Sequence, residues 1–326
     1  MLQEKQFPYD LSIVIPLLNE AESLSLLQKR IATTMQQAGI TYEVIYVDDG
    51  STDESWQIIA ALHQANPESV KALRFARNYG KSAALQCGFT KAQGRLVATM
   101  DADLQDAPEE LPEMCRILDT EGLDLLSGWK KKRYDPKLTK NLPSKLFNAT
   151  ARRVSGIHNL HDFNCGLKLY RSEVVKSIEL YNDMHRYIPI LAKDAGYKHI
   201  GEKAVKHSPR RFGRSKFGIN RFFHGYLDLL TLWFLSRFGR KPMHFFGFWG
   251  SILFLIGIIA LAVVLIGKLI ALLRGVPAPL VTDRVYFFIS LAAMIIGTQL
   301  FTAGFIAELI SRNARDRNRY NITEEL

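Results

Sequence analysis

The sequence predicts an α/β domain on a mainly parallel sheet, followed by a helical membrane hairpin. Three features predict it. Short apolar runs alternate with stretches of helical periodicity from Leu11 to Met100, the pattern of right-handed strand–helix–strand crossovers. Polar or acidic residues, Asn19-Glu20, Asp48-Asp49 and Asp101-Ala102-Asp103, lie at the ends of these runs. Two long stretches near the C-terminus, Phe245–Gly267 and Val285–Ala307, carry no formal charge.

Leu11–Pro16 reads as a buried strand, and Glu20–Ala38 as a helix with Leu24, Leu27, Ile31 and Met35 on one face. Gly39 ends that helix. Tyr42–Val47 is a second strand, closed by Asp48-Asp49-Gly50-Ser51. A helix over Asp53–Asn66 follows, with Trp56, Ile59 and Leu62 inward. Val70–Phe75 is a strand, Lys81–Ala92 a helix and Leu96–Met100 a strand. Pro108–Leu118 reads as a helix and Leu123–Ser127 as a strand. Gly128–Pro143 is a basic loop rich in breakers, containing Lys130, Lys131, Lys132 and Arg133; it is expected to contact phosphate or the membrane. An amphipathic helix over Leu142–Val154 and strands within Asp162–Tyr170 and Lys198–Val205 complete the domain. His207–Phe217 is a second basic loop.

Phe222–Phe238 is aromatic and apolar but holds Asp228. It suits a helix lying in the membrane interface better than one crossing it. Each of the two uncharged stretches covers about 34 Å as a helix, against a bilayer core of about 30 Å. The connection around Gly275, Pro277 and Pro279 makes them a hairpin. Basic residues crowd its flanks, from Arg210 to Lys241 and from Arg312 to Arg319. The positive-inside rule then puts both termini and the N-terminal domain in the cytoplasm, in a multi-pass protein of the inner (plasma) membrane. The expected division is 1–216 for the α/β domain, 217–243 for interfacial helices, 244–311 for the hairpin and 312–326 for a cytoplasmic tail.

The chain has 326 residues and a formal net charge of +10. Such a balance suits phosphorylated substrates, anionic lipid or nucleic acid. No nucleic-acid module is recognisable, so nucleic acid is not expected as a partner. Cys87, Cys115 and Cys165 show no metal-ligand spacing and read as reduced thiols. Met1–Asp10 is polar, so no signal peptide is expected. Gly80-Lys81-Ser82 ends like a phosphate loop, but Phe75 stands where the first glycine belongs. His158 and His161 sit by Gly156 and Asn159 in an expected turn, not on a metal-binding helix.

Asp101 and Asp103 are one residue apart at a strand end. Their repulsion is costly unless a cation lies between them, and Mg²⁺ or Mn²⁺ bridging to diphosphate oxygens suits the arrangement. Gln105 is a third metal candidate. Ligands on parallel sheets bind beyond the carboxyl ends of the strands, where Asn19, Glu20, Asp48 and Asp49 also fall. Asp48 or Asp49 can accept from a base or a ribose hydroxyl. Ser51 or Asp53 reads as a helix cap.

Six ordered segments carry a resemblance. They are Ser12–Glu20, Val47–Asp53, Arg77–Lys81, Met100–Glu109, Asn164–Lys168 and Arg210–Phe217. The chain resembles family 2 glycosyltransferases of the GT-A fold, in the polyprenyl-phosphate branch that includes dolichol-phosphate mannose synthases and bacterial polyprenyl-phosphate glucosyltransferases. The resemblance implies that Pro16, Leu18, Asn19, Glu20, Asp48, Asp49 and Ala102 bind the nucleotide sugar. It implies that Asp101, Asp103 and Gln105 hold the metal and donor phosphates, with Lys81 facing the diphosphate. Arg133, Arg210, Ser215 and Lys216 would grip the lipid phosphate or close over the donor. Asp101, Asp103, Arg133, Arg210 and Lys216 form the expected catalytic set.

The implied reaction moves one sugar from a nucleotide sugar, with UDP-glucose expected, to undecaprenyl phosphate or a related acceptor. GDP-mannose, UDP-N-acetylglucosamine and UDP-aminoarabinose are the alternative donors. A lipid monophosphate is mostly dianionic at neutral pH, with a second pKa near about 6, and needs no strong base. Asp162 reads as either a positioning or a structural residue. A processive polysaccharide synthase is a second reading, but its Gln-x-x-Arg-Trp segment is missing. A non-catalytic scaffold binding membrane lipid is a third. A homo-oligomer, by resemblance a tetramer, is expected.

Overall fold

The computed structural model describes residues 7–131, 148–149, 151–153, 155–180, 184–208, 234, 242–277, 279–313 and 322–325. The chain divides into two compact units, residues 1–232 with 317–326, and residues 233–316.

The first unit begins as expected: β1 (Tyr9–Leu17), α1 (Ala21–Ala38), β2 (Tyr42–Asp48), α2 (Ser55–Ala65), β3 (Val70–Phe75), α3 (Lys81–Lys91) and β4 (Gly94–Thr99). A 3₁₀ turn at Pro108–Glu110 leads into α4 (Leu111–Thr120), then β5 (Leu125–Trp129). β6 (Lys168–Arg171), α5 (Ser172–Ser177), a second 3₁₀ turn (Met184–Tyr187), α6 (Ile188–Asp194) and β7 (Ile200–Ala204) follow. The second unit holds α7 (Pro242–Leu273) and α8 (Val285–Asn313). The chain then returns to the first unit as β8 (Ile322–Glu325).

The eight strands form one sheet in the order β7-β5-β6-β4-β1-β2-β3-β8. β4, β1, β2 and β3 run parallel, as do β5 and β7, while β6 and β8 are antiparallel to their neighbours. β1 lies between β4 and β2, which brings the carboxyl ends of these three strands side by side.

From Ile13 to Leu17, β1 is apolar without alternation because both its faces are covered. Leu11, Ile13, Ile15 and Leu17 join a core with Leu24, Leu27, Ile31 and Met35 of α1. From the other face Val14 meets α3 at Gly88, where a Cβ would collide with the Val14 side chain. That close approach requires glycine at position 88. Gly39 ends α1 in the left-handed conformation at φ 64°, its N–H returning to the Gln36 carbonyl at 3.3 Å.

Some elements differ from expectation. Within Asp162–Tyr170 only Lys168 to Tyr170 is strand, because the preceding residues turn: Asp162 Oδ1 accepts the Asn164 N–H at 3.2 Å. α5 and α6 are too short to show a helical period in the sequence. β8 falls in the stretch 312–326, expected as a cytoplasmic tail with no strand assigned. It pairs with β3, in register Leu73 with Glu325. Most of the expected helix over 142–154 and of the interfacial stretch 217–243 lies outside the described residues.

α7 and α8 contain the two segments long and apolar enough to cross a membrane, Met243–Leu273 and Val285–Ala307. Their outward residues are apolar: Ile259 is 62% exposed and Val263 64%, the inverse of a water-soluble helix pair. Small residues recur every seventh position along the seam, Gly250 and Gly257 on α7, Ser290, Gly297 and Gly304 on α8. A Cβ on Gly250 would stand 2.7 Å from the Gly297 carbonyl oxygen, and one on Gly257 2.6 Å from Met294 Cγ. In lipid, burying apolar surface gives no drive to associate, so this backbone proximity holds the pair. Gly250→Leu is expected to destabilise the detergent-solubilised protein by about 1–3 kcal/mol, the usual cost of overpacking. Gly267→Ala, at a position with nothing within 4 Å, serves as the control. Equal thermal midpoints for the two variants would refute the seam.

Candidate active site

β4 delivers Asp101 to the crevice beyond the sheet. The turn that follows is set by its own carboxylates. Asp103 Oδ1 accepts the Gln105 N–H at 3.1 Å, and Asp106 Oδ2 accepts the Asp101 N–H at 3.4 Å. Leu104 adopts φ 62°, rare for a branched side chain, with that side chain buried. This strained turn sets Asp101 and Asp103 on one short loop.

The Asp101 carboxylate stands against Gly166. A Cβ there would lie 2.5 Å from Oδ2 and 2.7 Å from Cγ. On its other side Lys81, the first residue of α3, forms an ion pair with Oδ1. Burial opposes ionisation of Asp101, but the Lys81, Lys130 and Lys168 cations outweigh it and hold the carboxyl far below the usual range.

Asp49 explains how Lys81 arrives there. Its two oxygens accept the backbone N–H groups of Tyr79 at 2.7 Å and Gly80 at 2.9 Å. Gly80, at φ 95°, then turns the chain into α3. Both Asp49 oxygens are thus bound to backbone, and the residue positions a lysine. Asp48 is fully buried; its Oδ1 accepts the Ser51 N–H at 2.9 Å. Its Oδ2 has no hydrogen-bond partner among the described residues, only an ion pair with Arg74 Nε at 3.6 Å. Of the two acids, Asp48 is the one with an oxygen that lacks a hydrogen-bond partner among the described residues.

Asn19 takes a left-handed φ of 56° and its Oδ1 accepts the Thr52 N–H at 2.8 Å, locking the β1 and β2 loops together. The Glu20 N–H donates to Ser55 Oγ at 3.0 Å. Asp53 accepts the N–H groups of Ala21 at 3.2 Å and Ser55 at 3.0 Å, so it serves the first turns of both α1 and α2. Pro16, with Lys81 and Asp101, lines a cavity behind this loop system. Leu18 is half-buried and Ala102 buried.

Lys130, expected in a basic loop, directly follows β5. Its ammonium pairs with buried Asp106 at 2.9 Å, which fixes the far end of the acidic turn. Arg133, Arg210, Ser215 and Lys216 lie outside the described residues. The approach to the second basic loop is described: Ser208 N–H donates to the Gln105 carbonyl at 3.0 Å, and His207 bridges to Asp106. The chain therefore enters that loop directly from the acidic turn.

Sequence reasoning missed several residues here. Gly166 lay inside a quoted segment without a role, and Asp106 likewise. Lys168, at 3% exposure, donates to the Cys165 carbonyl, and burial pushes its pKa down. Cys165 beside it is buried, which raises its thiol to about 12. His185 accepts or donates at Ser82 Oγ, 3.0 Å from Nδ1. Asp106 is local to the turn; Gly166, Lys168, Cys165 and His185 meet Asp101 only through the fold.

The donor set fits a hard divalent cation. Asp101 and Asp103 offer carboxylate oxygen on one turn, the ligand type that hard divalent cations take. Among the described residues no group of three or more His, Cys, Asp or Glu could enclose a metal. Diphosphate oxygens and water would therefore complete the shell.

Two outcomes are expected. Gly166→Ala forces the Asp101 carboxylate aside and should weaken Mn²⁺ binding in the presence of UDP by about tenfold or more, an energy of about 1.4 kcal/mol; unchanged affinity by calorimetry would remove the wedge from the argument. His185 is held neutral, its pKa lowered well below 6.5 by burial first and then by Lys81, Arg186 and Lys168. The unfolded ring takes up a proton near pH 6.5 and the folded ring does not. This contribution to stability is therefore whole above about 6.5 and declines as the pH falls below it. Melting curves of wild type and His185→Gln should diverge between about pH 7 and about pH 5, with the wild type steeper; parallel curves would contradict this.

Comparisons with known proteins place the chain in a family. The model of the family described as Glycosyl transferase family 2 matches residues 12–179. A dodecaprenyl-phosphate galacturonate synthase of Rhizobium johnstonii is 37% identical over 93% of this chain and 88% of its own. An undecaprenyl-phosphate 4-deoxy-4-formamido-L-arabinose transferase of Edwardsiella ictaluri is 34% identical over 95% and 92%. The solved structure of Mycobacterium tuberculosis glucosyl-3-phosphoglycerate synthase, in complex with Mg²⁺ and uridine-diphosphate, superposes with a TM-score of 0.53 at 20% identity, covering 70% of this chain and 79% of that one. The last likeness is one of fold, GT-A. On the family model and these near full-length relatives, the chain belongs to glycosyl transferase family 2.

Proposed function

We propose that the protein transfers a single sugar from a nucleotide-diphosphate sugar to a polyprenyl phosphate at the cytoplasmic face of the plasma membrane. The observation that carries this reading is the convergence of Asp48, Asp101 and Asp103 at neighbouring strand ends, in a chain that also bears two membrane-length helices. The relatives' names support the acceptor, since they specify dodecaprenyl and undecaprenyl phosphate. The same names support galacturonate or 4-deoxy-4-formamido-L-arabinose as the sugar, and neither specifies glucose. We therefore place these two donors, as UDP derivatives, ahead of UDP-glucose. Basic residues flank the hairpin on both sides in the sequence, which supports a topology with both hairpin ends on one side of the bilayer.

Asp101 and Asp103, with Gln105 beside them, would hold Mg²⁺ or Mn²⁺, whose chemistry is to neutralise charge on the leaving diphosphate. Asp48 Oδ2 accepts from the nucleoside. Lys81, at the start of α3, reaches the diphosphate; Arg133, Arg210, Ser215 and Lys216 hold the acceptor phosphate. The acceptor is already a dianion, so no residue need abstract a proton. Asp162 is 1% exposed and caps a turn, which supports a structural role. Direct attack on the sugar's anomeric carbon inverts its configuration. The protein contributes alignment and charge compensation.

Membranes holding the protein, given undecaprenyl phosphate and a panel of labelled UDP-galacturonate, UDP-4-deoxy-4-formamido-L-arabinose, UDP-glucose, UDP-N-acetylglucosamine and GDP-mannose, should yield a lipid carrying one sugar. Asp103→Ala should lower transfer by about a hundredfold or more and leave membrane insertion intact. Polymer, or no lipid product from any donor, would refute the reading; full activity in Asp103→Ala would refute the metal assignment.

A further inference from the structure

We propose that Lys81 holds the cation's place on Asp101 in the donor-free protein and transfers to the donor's diphosphate when metal and nucleotide enter together. This rests on the proposed metal-assisted use of a nucleotide sugar. Its basis is a conflict between two roles at one oxygen. Asp101 is the acid best placed to meet a divalent cation, yet its Oδ1 is paired with the Lys81 ammonium. The carboxylate cannot turn aside to serve both, because Gly166 backs it too closely for even a methyl group. Lys81 is no casual surface partner either. Asp49 fixes the two residues before it by backbone hydrogen bonds of 2.7 and 2.9 Å, so the start of α3 is aimed by a buried acid.

An ammonium and a divalent cation repel each other strongly at contact distance. Metal arriving alone must therefore displace Lys81 and gains few ligands in return, since the described residues offer no third acidic, histidine or cysteine ligand. Metal arriving with a diphosphate brings its own oxygens and gives the displaced ammonium an anionic destination. Lys81 is flexible enough for this exchange: about a third of its side chain is exposed, 35%. Lys130 does not take over the role, because its ammonium pairs with Asp106 at 2.9 Å. The consequence is linkage. Metal and nucleotide each raise the other's affinity by the same factor, and Lys81 supplies much of it. The arrangement keeps the site from filling with free metal and ties metal entry to substrate entry.

The test is Mn²⁺ binding to the full-length protein in detergent, followed by the electron paramagnetic resonance of free Mn²⁺, with and without UDP. Wild type should bind Mn²⁺ alone weakly, and saturating UDP should tighten it by about tenfold or more. Lys81→Met should bind Mn²⁺ alone about tenfold more tightly than wild type and lose most of the gain from UDP. Lys81→Arg, which keeps the charge, should retain wild-type behaviour. Melting curves confirm that each variant is folded; if Lys81→Met does not fold, Lys81→Gln replaces it. A neutral variant that binds Mn²⁺ alone no more tightly than wild type overturns the placeholder and leaves the proposed reaction standing. A wild type that takes up no Mn²⁺ even with UDP overturns both the placeholder and the metal assignment, whereas failure of the reaction itself shows separately in the donor panel.

Discussion

Keeping Asp101 ionised where a strand end meets the protein interior is the constraint on which the catalytic part depends. A lone carboxylate there would take up a proton to escape desolvation. Three lysines prevent this, and each comes from a different part of the sheet: Lys81 from the start of α3, Lys130 from the residue after β5, Lys168 from β6. The charge balance around one oxygen pair therefore ties several separate elements together. Asp49, expected from the sequence to bind the nucleotide sugar, and Asp106, which carried no expected role, serve the same end by holding Lys81 and Lys130 in place.

The two units are stabilised by opposite physics. In the sheet, apolar side chains leave water, and β1 is apolar from Ile13 to Leu17 because helices cover both faces. In the hairpin, apolar side chains face outward, and the contact is made by the smallest residues on the chain. Glycine is needed in both for the same reason of close approach: Gly88 admits Val14, Gly166 admits the Asp101 carboxylate, and Gly250 admits the carbonyl of Gly297.

Family membership and sugar choice separate cleanly. Relatives whose names carry different sugars match this chain over nearly its full length. Near full-length likeness to relatives named for different sugars shows that membership of the family does not by itself fix the sugar.

Much was legible beforehand because it is written in local pattern. The strand and helix order to β5, the acidic strand ends and the two membrane-length helices all follow from periodicity, charge and length, which act over neighbouring residues. Short elements such as α5 and α6 carry too few residues to show a period, and β8 gains its conformation only by pairing with β3. The sequence by itself determined that Asp48, Asp101 and Asp103 would sit at strand ends. The tertiary structure alone decided that Gly166 backs Asp101, that Lys81 neutralises it and that Asp49 aims Lys81. Those contacts join residues far apart along the chain, and Coulombic attraction and steric fit act through space, where spacing in the sequence gives no measure of distance.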